Sequence, residues 1–154
     1  MAGFMDMLVA GRTHIGYRQL RPMTTAGIDS ADALLVWLAR GFDMDCSESY
    51  TLLCHLVGAE SPSGPAWGYA YGNTQSILDH LTDRYTDPLE ALIGAPCIFN
   101  PGRATAEQHI ACVRRPGRDP LMFNHGDSTG PTYIRFSRLK AAFASYTFCS
   151  AAAL

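Results

Sequence analysis

No apolar run in this chain of 154 residues approaches the roughly 20 needed to cross a bilayer. Strong charge of either sign is also missing. The net charge is −2 and charged residues make up 17%, so nothing points to a nucleic-acid partner or an anionic membrane. The first residues, Met1 to Met7, lack a basic segment, and Asp6 interrupts their apolar stretch. They read as a poor secretory signal. The five cysteines, Cys46, Cys54, Cys97, Cys112 and Cys149, are an odd number with no C-x-x-C pair, which speaks against a disulfide framework or a zinc knuckle. The five histidines, at 14, 55, 80, 109 and 125, show no H-E-x-x-H spacing, so no metal ligand set is visible. Internal repeats and low-complexity segments are absent too. What remains is 47% hydrophobic, enough for a single globular domain over 1–154 with a real core.

Within that domain the stretch Phe42–Tyr50 stands out. Asp45 is an N-cap, Glu48 three residues on completes a capping box, and Leu52, Leu53, Leu56 and Val57 recur at helical spacing before Gly58 stops the helix. This register sets Cys46 at the first helical position, where free backbone N–H groups and the helix dipole favour a thiolate. The plain alternative is a small core residue, as free cysteines often are.

Before it the chain predicts a helix over Gly3 to Ala10, a turn at His14–Arg18, and a second helix over Ala31 to Arg40. Leu34, Leu35, Trp37 and Leu38 would face inward on that second helix. After it, Glu60 to Asn73 is a loop by its prolines and glycines, yet it carries Trp67, Tyr69 and Tyr71. Such rings either wall a binding cleft or pin the loop to the core. A helix over Gln75 to Thr82 follows.

Beyond Pro88 strands dominate, near Pro96–Phe99, Gln108–Val113, Leu121–His125 and Thr132–Phe136. A short helix over Arg138 to Ala144, capped by Ser137, and an edge strand Tyr146–Cys149 complete the order. Helices first and strands afterwards predict an α+β fold with an antiparallel sheet. His109 opens an apolar strand, where a histidine has little structural reason to be. A cysteine on an early helix and a histidine on a central strand is how a papain-like thiol site is assembled.

Asp45-Cys46-Ser47, then Gly58-Ala59, Pro62-x-Gly64, the Trp67–Thr74 run and His109-Ile110-Ala111 after a Pro96–Phe99 strand together resemble the NlpC-like family of cell-wall cysteine peptidases. Domains of this kind occur in phage lysins. The resemblance covers most of the chain, although Glu48 stands where a glycine is common. It implies a papain-like fold and hydrolysis of an amide in bacterial peptidoglycan, without a cofactor, by a protein made in the cytoplasm that acts on the wall after release or within a virion. Cys46 would attack, and His109 would serve as base and then acid. The Cys46 N–H and Tyr17 would face the oxyanion, Asp45 and Ser47 could contact a substrate amine, and Trp67, Tyr69 and Tyr71 would line the cleft. An acyltransferase or deamidase would use the same pair, and a wall-binding or virion-assembly module would use neither.

Hairpin counting addresses the third residue. With Gly117 at the centre of an odd-length loop, 109 stands opposite 125, and His125 orients His109. A two-residue Pro116-Gly117 loop would put Asn124 there instead. Proline resists the positive φ of tight hairpin turns, so the expectation is His125.

Overall fold

The computed structural model describes residues 1–151. Five α-helices and eight strands alternate with short 3-10 turns. The first half carries α1 (Ala2–Ala10), β1 (Ile15–Gly16), α2 (Ala31–Arg40), β2 (Phe42–Asp43), α3 (Cys46–Leu56) and α4 (Thr74–His80). The second half carries β3 (Arg84–Tyr85), β4 (Pro96–Phe99), β5 (His109–Arg115), β6 (Leu121–Asn124), β7 (Thr132–Arg135), α5 (Phe136–Ala141) and β8 (Tyr146–Cys149). Strands β3 to β8 form a six-stranded antiparallel sheet in the order β3-β8-β4-β5-β6-β7, and β1 and β2 make a separate parallel pair. The protein is therefore α+β, with N-terminal helices packed on a C-terminal antiparallel sheet. No helix among the described residues is long and apolar enough to cross a membrane.

The sheet has an apolar layer on each face because its strand residues alternate. Ile98, Ile110, Cys112 and Phe123 face the helices and join Met5, Leu8, Leu52 and Leu53. Cys97, Phe99, Ala111, Val113 and Met122 face the other way, onto Phe136 and Leu139 of α5. Helix α3 lies in the first layer, and all of its residues except His55 are buried. Each fully buried leucine there contributes about 1.5–3 kcal/mol.

Helix boundaries follow the capping chemistry. Ser30 caps α2 by accepting from Ala33 N, Asn73 caps α4 by accepting from Ser76 N, and Gly58, at φ 72°, sits just past the end of α3.

Four expectations need correction. Leu35 is exposed, since Leu34 takes the inward position of α2 and its neighbour is turned about 100° away. β8 is an interior strand rather than an edge: the two-residue β3, too short to show a period, covers it through Arg84↔Cys149 and Tyr85↔Phe148. The last helix spans Phe136–Ala141, and Ser137 is its second residue, not its cap. The Ser137 N–H and hydroxyl both donate to the Asp119 carboxylate, at 2.8 and 2.6 Å. The His14–Arg18 turn contains β1, whose register (Ile15↔Phe42, Gly16↔Asp43) ties it beside the approach to α3.

Candidate active site

Asp45 starts α3 as expected, its Oδ1 accepting from Glu48 N at 2.8 Å. The other half of the capping box does not form. Glu48 is fully buried and turns its carboxylate to the 3-10 turn Thr24–Gly27, where Thr25 N and Thr25 Oγ1 donate at 3.2 and 2.9 Å. A buried carboxylate goes where donors are, and two donors on one residue outcompete the single N–H of the cap. Burial pushes the Glu48 carboxyl up to about 7 against the pull of those bonds and of Arg21.

Cys46 is the first residue of α3 and 8% exposed. His109 is the first residue of β5, also buried, and its imidazole stands close enough to the thiol for each to act on the other's charge. Burial works against the thiolate, but His109 and the Ile110 N–H outweigh it and hold the thiol below its usual value. The same pairing acts on the histidine in reverse. Burial disfavours the imidazolium, and the Cys46 thiolate and Asn124 together raise it above the ordinary range. The pair is thus poised toward thiolate and imidazolium. Phe143 and Phe99 stack on the His109 ring at centroid distances of 5.5 and 6.1 Å, which limits its tilt.

Asn124, not His125, orients that ring. The His109 Nε2–H donates to Asn124 Oδ1 at 2.5 Å, leaving Nδ1 as the ring nitrogen for the thiol. The counting expectation fails for a physical reason. Arg115 pairs with Leu121, but Val113 pairs with Met122 and Cys112 with Phe123, so Arg114 is a β-bulge. In the register below the bulge Ala111 stands opposite Asn124. His109 shares the face of Ala111 and reaches Asn124 diagonally.

His125 falls on the opposite face, toward α3, where its Nδ1 lies 2.9 Å from Ser49 Oγ. The only hydroxyl proton of Ser49 goes to Asp45 O, so His125 Nδ1–H is the donor and Nε2 is a buried acceptor without a protein partner. Burial depresses the His125 imidazole to about 4.

Tyr17 borders the same cleft as Cys46. Burial, then negative charge on Cys46, raises its pKa, so it remains a donor. Its ring meets the edge of His125 at 5.1 Å. Thr74 Oγ1 lies 4.0 Å from Cys46 Sγ. A cleft of about 520 Å3 opens over the thiol, lined by Tyr17, Asp45, Ser47, Thr74, Thr105 and Gln108 among others.

Trp67, Tyr69 and Tyr71 do not line that cleft. Tyr69 packs onto the far end of α3, where it stacks on His55 at 4.0 Å and its hydroxyl donates to Ala59 O. Trp67 and Tyr71 stand half exposed, and Gly72 O beside Tyr71 accepts from Arg21 Nε. Nine residues of helix, about 13 Å at 1.5 Å each, separate that end from Cys46. His55 is accordingly half-buried under a ring rather than solvated.

Asp45 and Ser47 do border the cleft, but their hydrogen bonds are made within the protein. Ser47 Oγ donates to Asp45 Oδ1 at 2.9 Å, and Arg21 Nη2 donates to both Asp45 Oδ2 and Ser47 Oγ at 3.1 Å. Sequence reasoning missed Arg21. The available signal was Glu48: an acid inside a buried helix demands a counter-charge, and Arg21 Nη1 lies 3.9 Å from its Oε1. Among the described residues no group of three His, Cys, Asp or Glu side chains is placed to hold a metal ion. No family model, curated protein or solved structure matches the chain.

Proposed function

We propose that this protein is a papain-like thiol hydrolase of the NlpC type that cleaves an amide bond in bacterial peptidoglycan, as lysin domains do. The observation that carries the reading is the ordered chain Cys46–His109–Asn124: a thiol at a helix start, an imidazole as its charge partner, and an amide oxygen fixing the imidazole from the far side.

The chemistry follows from these positions. Cys46 Sγ, as thiolate, attacks the scissile carbonyl carbon. The oxygen gains the negative charge and is met by two donors, the Cys46 N–H at the helix start and the hydroxyl of Tyr17 across the cleft. The C–N bond breaks as His109 Nδ1–H gives its proton to the leaving nitrogen, leaving a thioester on Cys46 and a neutral imidazole. Water then attacks the thioester as Nδ1 takes its proton. The second tetrahedral species collapses to a carboxylic acid, and the thiolate–imidazolium pair is restored. Asn124 keeps Nε2 protonated and the ring aimed throughout.

Incubation with purified peptidoglycan followed by mass analysis of the fragments tests this. The expected outcome is a new free carboxyl and a new free amine from one bond type, lost in Cys46→Ser with the fold intact. Equal release by Cys46→Ser would falsify the assignment. Transfer of the acyl group to an added amine in place of hydrolysis would identify an acyltransferase instead.

A further inference from the structure

The net charge of −2 hides a segregation. Twelve of the fourteen carboxylates, but only six of the twelve cations, precede residue 111. The other six cations and two carboxylates lie beyond it, an excess of four positive charges. Four of these cations gather at one end of the sheet. Arg115 and Arg135 both pair with Leu121, so they share its face two strand spacings, about 10 Å, apart. The loop 116–120 is clasped to the start of α5. The Asp119 carboxylate accepts from Ser137 N and Oγ at 2.8 and 2.6 Å, and Asp119 O accepts from Arg135 Nη1 at 3.2 Å. Arg118 and Arg138 each adjoin a member of that clasp in the chain and so stand at the same end. All four arginines are exposed, and none is in an ion pair among the described residues. Asp119 offsets one of their charges, and Arg114 nearby is neutralised by Asp6 at 2.9 Å.

We propose that Arg115, Arg118, Arg135 and Arg138 form a docking surface for a phosphodiester-linked anionic polymer of the cell wall. A guanidinium fork meets two phosphate oxygens with two parallel bonds, which the point charge of a lysine cannot do. One exposed arginine gains little against water and salt. Four that meet successive charges of one strand gain together, so the surface selects a polymer over a single anion. The rest of the chain, with twelve carboxylates against six cations, repels such a strand and fixes which end of the protein faces it. β5 runs from His109 to Arg115, about 20 Å at roughly 3.3 Å per residue. A docked strand therefore lies clear of the cleft and leaves it open. The choice of a wall polymer over other polyanions rests on the thiol-hydrolase reading, whose substrate is in the wall. It deepens that reading by giving the enzyme an anchor separate from its catalytic residues.

The test is co-sedimentation with purified cell walls that carry a phosphodiester polymer, and with the same walls after acid removal of that polymer. It compares wild type, the double variant Arg115→Gln/Arg118→Gln, and a quadruple variant that adds Arg135→Gln and Arg138→Gln. Wild type is expected to bind the polymer-bearing walls at least about tenfold more tightly than the stripped ones, and less tightly as salt rises. The double variant, which leaves the Asp119 clasp intact, should lose about threefold or more of that preference, and the quadruple variant nearly all of it. Both should cut stripped peptidoglycan at the wild-type rate, which checks that fold and cleft are unchanged. If the quadruple variant misfolds, the double variant decides. Equal binding of wild type to both wall preparations, an unchanged preference in the double variant, or tighter binding of RNA than of the wall polymer at equal phosphate overturns the inference. Polymer-dependent binding by a wild type that cuts no peptidoglycan overturns the hydrolase reading instead and leaves the docking surface standing.

Discussion

Asn124 and His125 are neighbours in sequence with different work, and substitution should separate them. Asn124 makes one bond, to the His109 ring, and its loss frees the imidazole to rotate or change tautomer. Asn124→Ala is expected to lower kcat by about 10–100-fold with the melting temperature little changed. His125 is buried, packed on Tyr17 and bonded to Ser49. His125→Ala should cost about 2–3 kcal/mol of stability through the void and the lost bond, with a smaller effect on rate. Thermal melts beside turnover on the wall substrate check both; the reverse assignment of losses would mean that His125 orients the base. Tyr17→Phe removes only the hydroxyl that the proposed mechanism assigns to the oxyanion. It should lower kcat by about 10²–10³-fold and leave KM nearly unchanged, which steady-state kinetics on a soluble peptide would show.

At the scale of elements, the β5–β6 hairpin delivers the third residue by parity. Side chains alternate, so any change of register by one residue exchanges Asn124 for His125 on the face of His109. If the pairing above the bulge, Arg115↔Leu121, continued unbroken, His125 would stand opposite Ala111. The extra residue Arg114 takes up the one-residue difference between the two pairings, and Phe123 on one face and Met122 on the other hold the phase near the site. Turning Phe123 out of its layer would cost several kcal/mol, roughly what Phe→Ala costs in a core. Deleting Arg114 should therefore leave Asn124 on His109 and kcat within about threefold of wild type, because packing rather than the bulge sets the phase near the site. Stability should fall by about 1 kcal/mol or less with the partly exposed Asp6–Arg114 pair. A loss of activity as deep as that of Asn124→Ala would show that the bulge itself sets the phase.

Across the whole molecule two buried groups oppose each other in pH. Glu48 titrates near 7 when folded against an ordinary 4.5, so between those values the folded state holds the extra proton and stability falls as pH rises. His125 titrates near 4 when folded against an ordinary 6.5, so between those values the unfolded state holds the extra proton and stability rises with pH. The windows overlap from 4.5 to 6.5 and largely cancel. The Cys46–His109 pair adds little slope between the ordinary 6.5 and 9.0 of its members, because folded and unfolded states each hold one proton there. Glu48→Gln should unmask the histidine. Stability would then drop on acidification from pH 6.5 to 4 by on the order of 2 kcal/mol, at about 1.4 kcal/mol per pKa unit less an allowance for partial solvation. Denaturant midpoints at several pH values measure it, and a flat profile in Glu48→Gln would contradict the cancellation.

How much of this was legible in the sequence follows the range of the forces involved. The Asp45 cap, the Gly58 stop, the α3 register and the strand that His109 opens are local, and periodicity and capping chemistry reveal them. The bulge, the direction taken by the aromatic loop, the Glu48–Thr25 bond and the Arg21 contacts depend on residues far apart in the chain. No local pattern encodes them.

The remaining thiols have a use of their own. Cys54, Cys97, Cys112 and Cys149 are each at most 2% exposed, and burial raises every one of them, Cys54 to about 12 and Cys149 to about 11. A thiol-selective electrophile added to the folded chain therefore meets a single accessible thiol, whereas an opened chain offers five. The mass of the adduct becomes a molecular odometer. One added group counts a molecule that has stayed closed, and five count one that has passed through global opening. The protein thus carries, with no engineered probe, a gauge of its own unfolding rate.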